Sequence, residues 1–453
     1  MDLANKRVLV VGLGKSGVAS ALFLQARGAK VTVSDAKSQD QLGEEIPVLL
    51  DHGIAVETGG HGERTFRGQD LIVVSPGVPV DSPPLVQARA LGEPVIGEIE
   101  LASQFLPQNI VAITGSNGKT TTTTLAGEIV AAGGFSTAVG GNIGTPAISL
   151  VEQAKPDTVV VLEVSSFQLE TIQTFRPRVA VVLNITPDHL DRHRTFDAYT
   201  NAKARIFENQ QPEDFAVLNA DDPASAGLAS RTRAQVFWFS REAEVKQGAY
   251  VRDGRILYRD AKGQREIMLA SEIPLKGGHN VENVLAAVCV GALMGCAPGR
   301  IGKAVRDFKA VEHRLEYVAT IRGVEYYNDS KATNVDATIK ALESFPANVH
   351  LILGGKDKDS DYTLLNELLR QRVKRIYTIG AAAEKIESQI KGVEVDHSET
   401  LEAALRRAAA TAAAGDIVLL APACASFDQF QNYEHRGRVF KEVVHAIAAE
   451  ART

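Results

Sequence analysis

Apolar runs alternate with glycine-rich turns and helical patterns in the first hundred residues. Residues 6–35 begin with the run "KRVLVV", continue through a helical pattern that opens on Gly12-x-Gly14-x-x-Gly17, and close with a second run that ends at Asp35. This order predicts a Rossmann-type strand, turn, helix and strand, whose turn can hold a diphosphate. Further apolar runs at 70–77 and 94–97 complete a predicted α/β domain of residues 1–97.

The second region begins with another strand, turn and helix pattern. The apolar run 109–113 precedes "TGSNGKTTTTT", residues 114–124. In the common P-loop G-x-x-x-x-G-K-[ST] a glycine stands six residues before the lysine, whereas here Ile113 holds that position. The stretch is therefore either a shortened nucleotide-binding loop or a threonine-rich helix cap. The location of Gly-Lys-Thr between a buried strand and a helix favours the nucleotide-binding loop.

Two more continuous apolar runs follow, "DTVVVLEVSS" (157–166) and "RVAVVLN" (178–184). Such runs predict strands of a parallel sheet buried on both faces, and ligands bind where such strands end. Glu163 closes the first apolar run. It is either the carboxylate that a P-loop needs for its metal or an ordinary solvated glutamate. The Asp- and His-rich segment 186–193 is either part of a metal site or a surface loop.

The rest of the chain predicts an antiparallel segment, a core helix and a third domain. Residues 235–270 predict antiparallel strands, and residues 284–297 predict a buried helix. From about Val311, strand and helix patterns alternate again. The predicted fold is α/β with three domains. They are a Rossmann-like domain (1–97), a central P-loop domain with a parallel sheet and flanking antiparallel strands (98–310), and a C-terminal Rossmann-like domain (311–453).

The composition argues against several classes of protein. A chain of 453 residues exceeds the size of one hydrophobic core. Its net charge of −6 and the lack of a dense Lys/Arg run argue against nucleic-acid binding. Three cysteines without a C-x-x-C pair suggest neither a disulfide framework nor a cysteine zinc site. The N-terminus lacks signal-peptide features and no apolar run is long enough to span a bilayer, so we expect a cytoplasmic protein.

Nine motifs, in order along the chain, resemble one family. They are "TGSNGKT" (114–120), "LEVSSFQLE" (162–170), "NITPDHLDRH" (184–193), "NAKARIF" (201–207), "GGHNVENVLAA" (277–287), "EHRLE" (312–316), "NDSKATN" (328–334), "GGKDKD" (354–359) and "PACASFDQF" (422–430). Together they resemble the Mur ligases, which are ATP-dependent amino-acid ligases of peptidoglycan precursor synthesis. The last four motifs are most similar to the branch of the family that adds D-glutamate.

The resemblance implies an ATP-dependent ligase that joins D-glutamate to UDP-N-acetylmuramoyl-L-alanine through an acyl phosphate, with two Mg²⁺ ions and a carbamylated lysine. We expect a monomer without nucleic-acid partners. The catalytic residues that the resemblance implies are Lys119, Glu163, His189, Lys203 and Arg314. The metal ligands it implies are Thr120, Glu163, His189 and Lys203 as its carbamate. Without the resemblance, Lys203 would be interpreted as a solvated helix lysine.

The resemblance also assigns residues to ATP. They are Gly115, Ser116, Asn117, Gly118, Lys119, Thr120, Thr121, Asn280, Asn283, Arg314, Asp329 and Lys331. Lys119 would hold the β/γ-phosphates, and the loop N–H groups would add anion-binding dipoles. Asn280 and Asn283, three residues apart, would present amides to adenine from one helix face. For Asn280, a helix N-cap is an equally good interpretation.

The remaining predicted site residues would hold the other two substrates. Ser16, Asp35 and Gly77 would hold the uridine diphosphate, Asn142, Ser165 and Gln168 the sugar and diphosphate end, and Thr333, Lys358, Ser426 and Tyr433 the D-glutamate. Ser426 also begins an S-x-x-Q pattern, which predicts a capping box at a helix start. Two departures affect the amino-acid site: Lys356 competes with Lys358, and Tyr433 stands where the family resemblance predicts Phe.

Other functions have weaker support in the sequence. A nicotinamide-dependent dehydrogenase would depend on the Gly12 motif alone, since no hydride-transfer residues accompany it. A P-loop switch or regulator would depend on Lys119 alone. The nearer alternative is a sister Mur ligase, or a folylpolyglutamate-type ligase, that adds another amino acid.

Overall fold

The computed structural model describes residues 1–42, 45–62, 64–309 and 311–451. The chain forms two compact units. Met1–Ile185, Asp197–Ala270 and Asn283–Val305 make up the first unit, and Thr186–Phe196, Ser271–Glu282 and Arg306–Thr453 make up the second. The described residues form three sheets, each flanked by helices, which confirms the predicted α/β class.

The first sheet of the first unit has five parallel strands in the order β3-β2-β1-β4-β5. Its elements are β1 (Arg7–Val11), α1 (Lys15–Ala26), β2 (Lys30–Ser34), α2 (Glu45–Asp51), β3 (Ala55–Glu57), β4 (Leu71–Val74), α3 (Pro83–Ala90) and β5 (Val95–Gly97). The glycine-rich turn links β1 to α1 as predicted. A Cβ at Gly17 would lie 1.8 Å from the Gly12 carbonyl oxygen, so only glycine lets α1 pack this close to the turn.

The second sheet of this unit has nine strands in the order β14-β13-β12-β11-β10-β9-β6-β8-β7. Its strands are β6 (Ile110–Thr114), β7 (Thr137–Gly141), β8 (Val159–Glu163), β9 (Val179–Val182), β10 (Phe215–Asn219), β11 (Gln235–Ser240), β12 (Gly248–Arg252), β13 (Arg255–Asp260) and β14 (Gly263–Leu269). The helices between residues 98 and 307 are α4 (Glu98–Ser103), α5 (Lys119–Ala132), α6 (Ser166–Leu169), α7 (Leu190–His193), α8 (Phe196–Ala204), α9 (Pro223–Gly227), α10 (Gly278–Leu293) and α11 (Pro298–Asp307). Of these, α7 and the first residues of α10 belong to the second unit. Strand β6, which leads into the P-loop, lies between β8 and β9, and all three are parallel.

Two predictions for this region have different outcomes. The helix predicted at residues 284–297 is confirmed, because α10 has residues Val284–Val290 fully buried. The prediction of antiparallel strands over 235–270 is right for β12, β13 and β14 and wrong for β11, which is parallel to both β10 and β12. Apolar alternation predicts that a segment is a strand, but it does not encode the direction of the neighbouring strand.

Two buried glutamates join the segment after β5 to the P-loop sheet. The Glu100 carboxylate accepts hydrogen bonds from the backbone N–H groups of residues 173–175 at 2.8–3.1 Å. Glu98 Oε1 accepts from the Ile148 N–H at 2.7 Å. The predicted domain boundary after Gly97 falls immediately before these residues. It stays a prediction, since both sheets belong to one compact unit.

Glu98 predicts a pH-dependent stability of the first unit. Its burial raises the pKa to about 7, although hydrogen bonds from Ile148, Gln168 and Ala147 act in the opposite direction. A carboxyl with a raised folded-state pKa stabilises the fold fully below about pH 4.5 and loses this contribution as the pH rises through about 7. The loss amounts to up to about 3 kcal/mol.

The variant Glu98→Gln, which is neutral at every pH, isolates this effect. Between pH 5 and pH 8 we expect its unfolding free energy to rise relative to wild type by up to about 3 kcal/mol. Urea unfolding followed by the fluorescence of Trp238, the only tryptophan, reports on this unit. Glu442→Gln, at an exposed position in the last helix, is the matched control. A Glu98→Gln difference that is the same at both pH values would contradict the prediction.

The second unit contains a six-stranded sheet in the order β15-β16-β20-β17-β18-β19, in which only the β15–β16 pair is antiparallel. Its elements are β15 (Glu316–Ile321), β16 (Val324–Asn328), α12 (Val335–Glu343), β17 (Val349–Gly354), α13 (Asn366–Arg372), β18 (Val373–Ile379), α14 (Ala383–Gln389), β19 (Glu394–Glu399), α15 (Leu401–Thr411), β20 (Ile417–Leu420) and α16 (Tyr433–Glu450). Apolar cores on both faces of this sheet confirm the predicted Rossmann-like layering.

The predicted boundary between residues 310 and 311 stays a prediction, because Ala310 lies outside the described residues. A helix that crosses a membrane needs a long apolar stretch, and none of the helices in the described parts of the chain has one.

Candidate functional site

The P-loop turn is held by Asn184 and by the side chain of Lys119. Helix α5 begins at Lys119 directly after Gly118, which has a φ of +83°. The Asn117 N–H donates to Asn184 Oδ1 at 2.8 Å, and Asn184 Nδ2 donates back to the Asn117 carbonyl at 3.2 Å. Lys119 Nζ donates to the carbonyls of Gly115 and Ser116 at 2.9 and 2.8 Å. The loop is therefore preformed, with a cation folded over it at a helix N-terminus.

Glu163 lies beside the first turn of α5, as the sheet order requires. Thr120 Oγ1 donates to Glu163 Oε2 at 2.8 Å, and Asn142 Nδ2 donates to Glu163 Oε1 at 2.9 Å. The Glu163 side chain is buried, so the interpretation as a solvated strand-end glutamate is wrong. The strand ends of β6 and β8 adjoin in a parallel sheet, which explains why these three side chains meet.

Lys203 is almost completely buried against the same loop. Its Nζ donates to the Gly115 carbonyl at 2.8 Å and lies 4.6 Å from the centre of the Tyr199 ring. Tyr199 is itself buried, and its hydroxyl lies 3.1 Å from Ser116 Oγ. The interpretation of Lys203 as a solvated helix lysine is therefore wrong. Helix α8 places Lys203 and Tyr199, four residues apart, on the face that packs on the P-loop.

Asn283 contacts the P-loop helix, whereas Asn280 does not act as an N-cap. Thr122 Oγ1 donates to Asn283 Oδ1 at 3.2 Å, and a Cβ at Gly118 would lie 2.1 Å from the same oxygen. The absence of a side chain at Gly118 therefore gives Asn283 its place beside the loop. The N-cap interpretation of Asn280 is wrong because α10 already begins at Gly278, and Asn280 Nδ2 donates to the Lys276 carbonyl at 2.7 Å.

Asp35 stabilises the predicted diphosphate-binding turn through hydrogen bonds to its backbone. The Asp35 carboxylate accepts from the N–H groups of Leu13 and Lys37 at 2.6 and 2.8 Å. Ser16 lies half-buried in the first turn of α1, and Gly77 is exposed after β4. These three predicted residues follow three adjacent parallel strands, β1, β2 and β4, and so share one edge of the sheet.

Ser165 and Gln168 form the cap of the short helix α6. The Ser165 hydroxyl and N–H donate to Gln168 Oε1 at 3.1 and 2.9 Å, and the Gln168 N–H donates to Ser165 Oγ at 3.2 Å. The capping box fixes both side chains next to the end of β8. Their predicted contact with the sugar stays a prediction.

In the second unit, the segment 328–334 carries three of the predicted residues. Asp329 is buried, and this burial raises its pKa to about 7 against the opposing effects of Arg314 and the Leu315 N–H. Lys331 Nζ lies 3.6 Å from the centre of the Tyr433 ring, and the Thr333 N–H donates to the Lys331 carbonyl at 2.8 Å. Lys331 and Tyr433, predicted for ATP and for D-glutamate respectively, are therefore direct neighbours.

Asp188 and His189 lie in the segment 186–196, which belongs to the second unit, as does Lys358. His189 has a φ of +53°, and its N–H donates to Asp188 Oδ1 at 2.9 Å. Asp188 Oδ2 accepts from Asn334 Nδ2 at 3.1 Å, and Asp188 Oδ1 lies 3.8 Å from Lys358 Nζ. Glu163 belongs to the first unit and His189 to the second, so their shared role as metal ligands stays a prediction.

The capping box predicted at Ser426 is wrong. Residues 426–430 form a turn in which the Phe430 N–H donates to the Ser426 carbonyl at 2.9 Å. The helix begins later, at Tyr433, where the Asn432 side chain accepts from the His435 N–H at 2.7 Å. The S-x-x-Q pattern lacks the apolar run that continues a true capping box, and Asn432 provides the stronger cap.

Arg436 is a residue of the site region that sequence reasoning missed. Its guanidinium is fully buried and donates to the carbonyls of Ser330, Cys424 and Ala425 and to Ser330 Oγ, at 2.8–3.4 Å. It thereby ties the segment 328–334 to the segment 422–430. An arginine in a helix gives no sequence signal of burial, because most arginines are solvated.

The donor set near the P-loop fits Mg²⁺. The Thr120 hydroxyl and the Glu163 carboxylate are hard oxygen ligands within hydrogen-bond distance of each other. No cluster of three or more His, Cys, Asp or Glu side chains suited to a metal occurs among the described residues. Mg²⁺ at nucleotide sites takes few protein ligands and completes its shell with phosphates and water, so a small protein donor set is the expected one.

Comparisons with known proteins agree along the whole chain. Three family descriptions match: "Mur ligase MurD-like, N-terminal domain" over residues 6–97, "Mur ligase middle domain" over 113–291 and "Mur ligase, glutamate ligase domain" over 313–424. The chain is 68% identical to a UDP-N-acetylmuramoylalanine--D-glutamate ligase of Koribacter versatilis, over 99% of each chain. It is 59% identical to the ligase of that name from Acidobacterium capsulatum, over 98% of this chain and 97% of the relative.

A solved structure supports the fold independently. The MurF ligase of Thermotoga maritima, solved in complex with ADP, aligns with a TM-score of 0.63. The alignment covers 99% of this chain and 100% of that one, at 18% sequence identity.

Proposed function

This chain belongs to the Mur ligase family, and on that premise we propose that it joins D-glutamate to UDP-N-acetylmuramoyl-L-alanine, with ATP converted to ADP and phosphate. The observation that carries the proposal is the 68% identity, over 99% of each chain, to a relative named for this reaction. The P-loop geometry supplies independent support for the ATP-dependent part, because Lys119 and the Thr120–Glu163 pair lie together at the strand edge. The product belongs to peptidoglycan precursor synthesis.

The reaction has two chemical steps. In the first, the free carboxylate of UDP-N-acetylmuramoyl-L-alanine attacks the γ-phosphorus of ATP, which gives an acyl phosphate and ADP. In the second, the amine of D-glutamate attacks the acyl carbon, the tetrahedral intermediate collapses with loss of phosphate, and an amide remains. Negative charge moves between oxygens in both steps, so positioned cations provide most of the stabilisation.

The residues of the P-loop would position and neutralise ATP. The loop N–H groups and the N-terminus of α5 would bind the β- and γ-phosphates, and Lys119 Nζ would leave its two carbonyl partners to contact them. Asn283, already oriented by Thr122, would hold the adenine side together with Asn280. From the second unit, Arg314 and Lys331 would contact phosphates and Asp329 the ribose.

Two Mg²⁺ ions would neutralise phosphate oxygens when bound. Thr120 would hold one ion, and Glu163, His189 and the carbamylated Lys203 would hold the other. In the structure, hydrogen bonds from Thr120 and Asn142 fix the orientation of the Glu163 carboxylate. Hydrogen bonds to a metal ligand commonly orient it in this way. Ser16, Asp35 and Gly77 would bind the uridine diphosphate, with Asn142, Ser165 and Gln168 nearer the sugar.

The amino-acid site would lie in the second unit. Lys358, Thr333, Ser426 and Tyr433 would hold the two carboxylates of D-glutamate. Lys358 suits this role because its side chain is half-buried beside Asp188, whereas the competing Lys356 is exposed. We further infer that the protein is cytoplasmic and acts as a monomer. Light scattering coupled to gel filtration tests the oligomeric state.

The substrate assignment predicts a selective phosphate release. With ATP, Mg²⁺ and UDP-N-acetylmuramoyl-L-alanine, D-glutamate should stimulate release at least about tenfold more than L-glutamate, L-lysine or meso-diaminopimelate. A site built to pair two carboxylates rejects L-lysine, which has only one. A site that also fixes the position of the amine rejects L-glutamate, because its opposite configuration misplaces the amine, and meso-diaminopimelate, because its longer chain changes the distance between the carboxylates. The measurement is a coupled phosphate assay with mass detection of the amide product. Equal release with D-glutamate and L-lysine would overturn the substrate assignment and favour a sister ligase.

The same assay, together with a measurement of nicotinamide absorbance, distinguishes the other candidate functions. A P-loop regulator would hydrolyse ATP slowly without an amide product. A folylpolyglutamate-type ligase would require a folate in place of the UDP-sugar. A dehydrogenase would change the nicotinamide absorbance when cofactor and substrate are added. None of these outcomes agrees with an amide that forms only in the presence of D-glutamate and the UDP-sugar.

A further inference from the structure

The loop after β17 carries two lysines that differ in their exposure to solvent. The backbone of Lys356 is fixed by a two-way bridge to Ala425, with N–H to carbonyl distances of 2.8 and 3.1 Å. Its side chain is exposed. Lys358, two residues later, is half-buried, and its Nζ lies 3.8 Å from Asp188 Oδ1. The backbone between these two residues therefore connects a fixed point at Lys356 to the side chain of Lys358 beside Asp188.

Asp357, between the lysines, accepts three hydrogen bonds within the second unit. Its Oδ1 accepts from Tyr362 Oη at 2.8 Å and from the Ser360 N–H at 3.1 Å. Its Oδ2 accepts from Lys385 Nζ at 2.6 Å. We call Asp357, Tyr362 and Lys385 the Asp357 anchor. The anchor joins the loop to a core side chain and to helix α14.

The core member of the anchor, Tyr362, also contacts the segment 422–430. Tyr362 is fully buried in the core on one face of the sheet, and its Oη also lies 2.9 Å from Cys424 Sγ. Cys424 belongs to the segment 422–430, which also carries Ser426. The anchor therefore connects the lysine loop to the second segment of the proposed amino-acid site.

The charges of the anchor reinforce each other. Burial alone would raise the pKa of Asp357, but hydrogen bonds from Lys385 and Tyr362 outweigh it and hold the pKa below the usual value. The Asp357 carboxylate in turn raises the pKa of Lys385. Asp357 and Lys385 are thus an ion pair at neutral pH, and hydrogen bonds to charged groups are the stronger kind.

When a lysine on a loop binds a carboxylate, the lysine and the loop backbone both lose conformational entropy. If the loop backbone is already ordered, the entropic cost of binding is smaller. The bridge at Lys356 and the Asp357 anchor fix the backbone on the N-terminal side of Lys358. From this geometry we propose that the Asp357 anchor positions Lys358 for a carboxylate of the incoming D-glutamate, an inference that rests on the proposed function. The anchor residues themselves do not touch the substrate.

The test uses Lys385→Met, which removes one charge of the anchor from a partly exposed position. We expect the KM for D-glutamate to rise about three- to tenfold. The kcat at saturating D-glutamate and the KM for ATP should stay within about twofold, because the P-loop is untouched. Lys385→Arg should restore the KM. Lys391→Met, at an exposed lysine just after α14, is the matched control and should behave as wild type.

A double-mutant cycle separates positioning from general loosening of the fold. In a Lys358→Met background, Asp357→Asn should not raise the KM for D-glutamate further, whereas in wild type it should raise it about tenfold. Additive effects of the two changes, or an unchanged KM in both Lys385→Met and Asp357→Asn, would overturn the inference. Failure of the wild type to respond to D-glutamate would instead overturn the proposed function, and this inference with it.

Discussion

Lys119→Ala is expected to reduce ATP-dependent phosphate release by at least about 10²-fold, the effect of removing one positioned donor from developing charge. In the structure, Lys119 Nζ lies over the loop and donates to the Gly115 and Ser116 carbonyls. These are the positions from which an ammonium reaches the phosphates of a bound nucleotide. The fold should survive, because the change removes hydrogen bonds to loop carbonyls from a half-buried side chain and opens no apolar cavity.

The measurement is phosphate release with all substrates present, together with calorimetric titration of ATP. Lys155→Ala, at an exposed lysine of the same unit, is the control for loss of a surface charge. Far-UV circular dichroism and the fluorescence of Trp238 check the fold. Turnover close to wild type in Lys119→Ala would mean that the shortened loop is not the catalytic nucleotide site.

The P-loop region was predictable because its information is local. A strand, two glycines, a lysine and a threonine lie within a dozen residues, and the parallel sheet then brings the end of β8 to the same edge. The location of Glu163 beside the P-loop could therefore be predicted from the rule that neighbouring parallel strands end at the same edge of a sheet. The direction of β11 was not predictable in this way, because a strand pattern is the same in both directions.

Other features depend on contacts between residues far apart in the chain. Arg436 is buried by its contacts with Ser330, 106 positions away. The Asp357 anchor depends on Lys385, 28 positions away. The sequence around Arg436 and around Lys385 does not distinguish either residue from a solvated residue on the surface. The late start of α16 was predictable in principle, since Asn432 is a strong N-cap, but the S-x-x-Q pattern at Ser426 competed with it.

Lys203→Ala is expected to be nearly inactive in ATP-dependent amide formation. The structure shows the lysine almost completely excluded from water, with its Nζ 2.8 Å from the Gly115 carbonyl. An ammonium at this depth beside the proposed Mg²⁺ site would add positive charge where anionic ligands are needed. Reaction of the neutral amine with CO₂ forms an N–C bond, releases one proton and leaves a carbamate, which is an anionic oxygen ligand of the kind that Mg²⁺ accepts.

Small carboxylic acids distinguish this role from a structural one. Acetate or propionate, bound in the space that Lys203→Ala vacates, should restore part of the rate, because either acid supplies the missing anionic oxygen. The same acids should not rescue Lys119→Ala, in which the missing group is a cation. Wild-type protein equilibrated with ¹³C-bicarbonate should show a carbamate carbon resonance that Lys203→Ala lacks. A high-resolution density map with a bare ammonium at Lys203, in fully active and Mg²⁺-loaded protein, would exclude the carbamate.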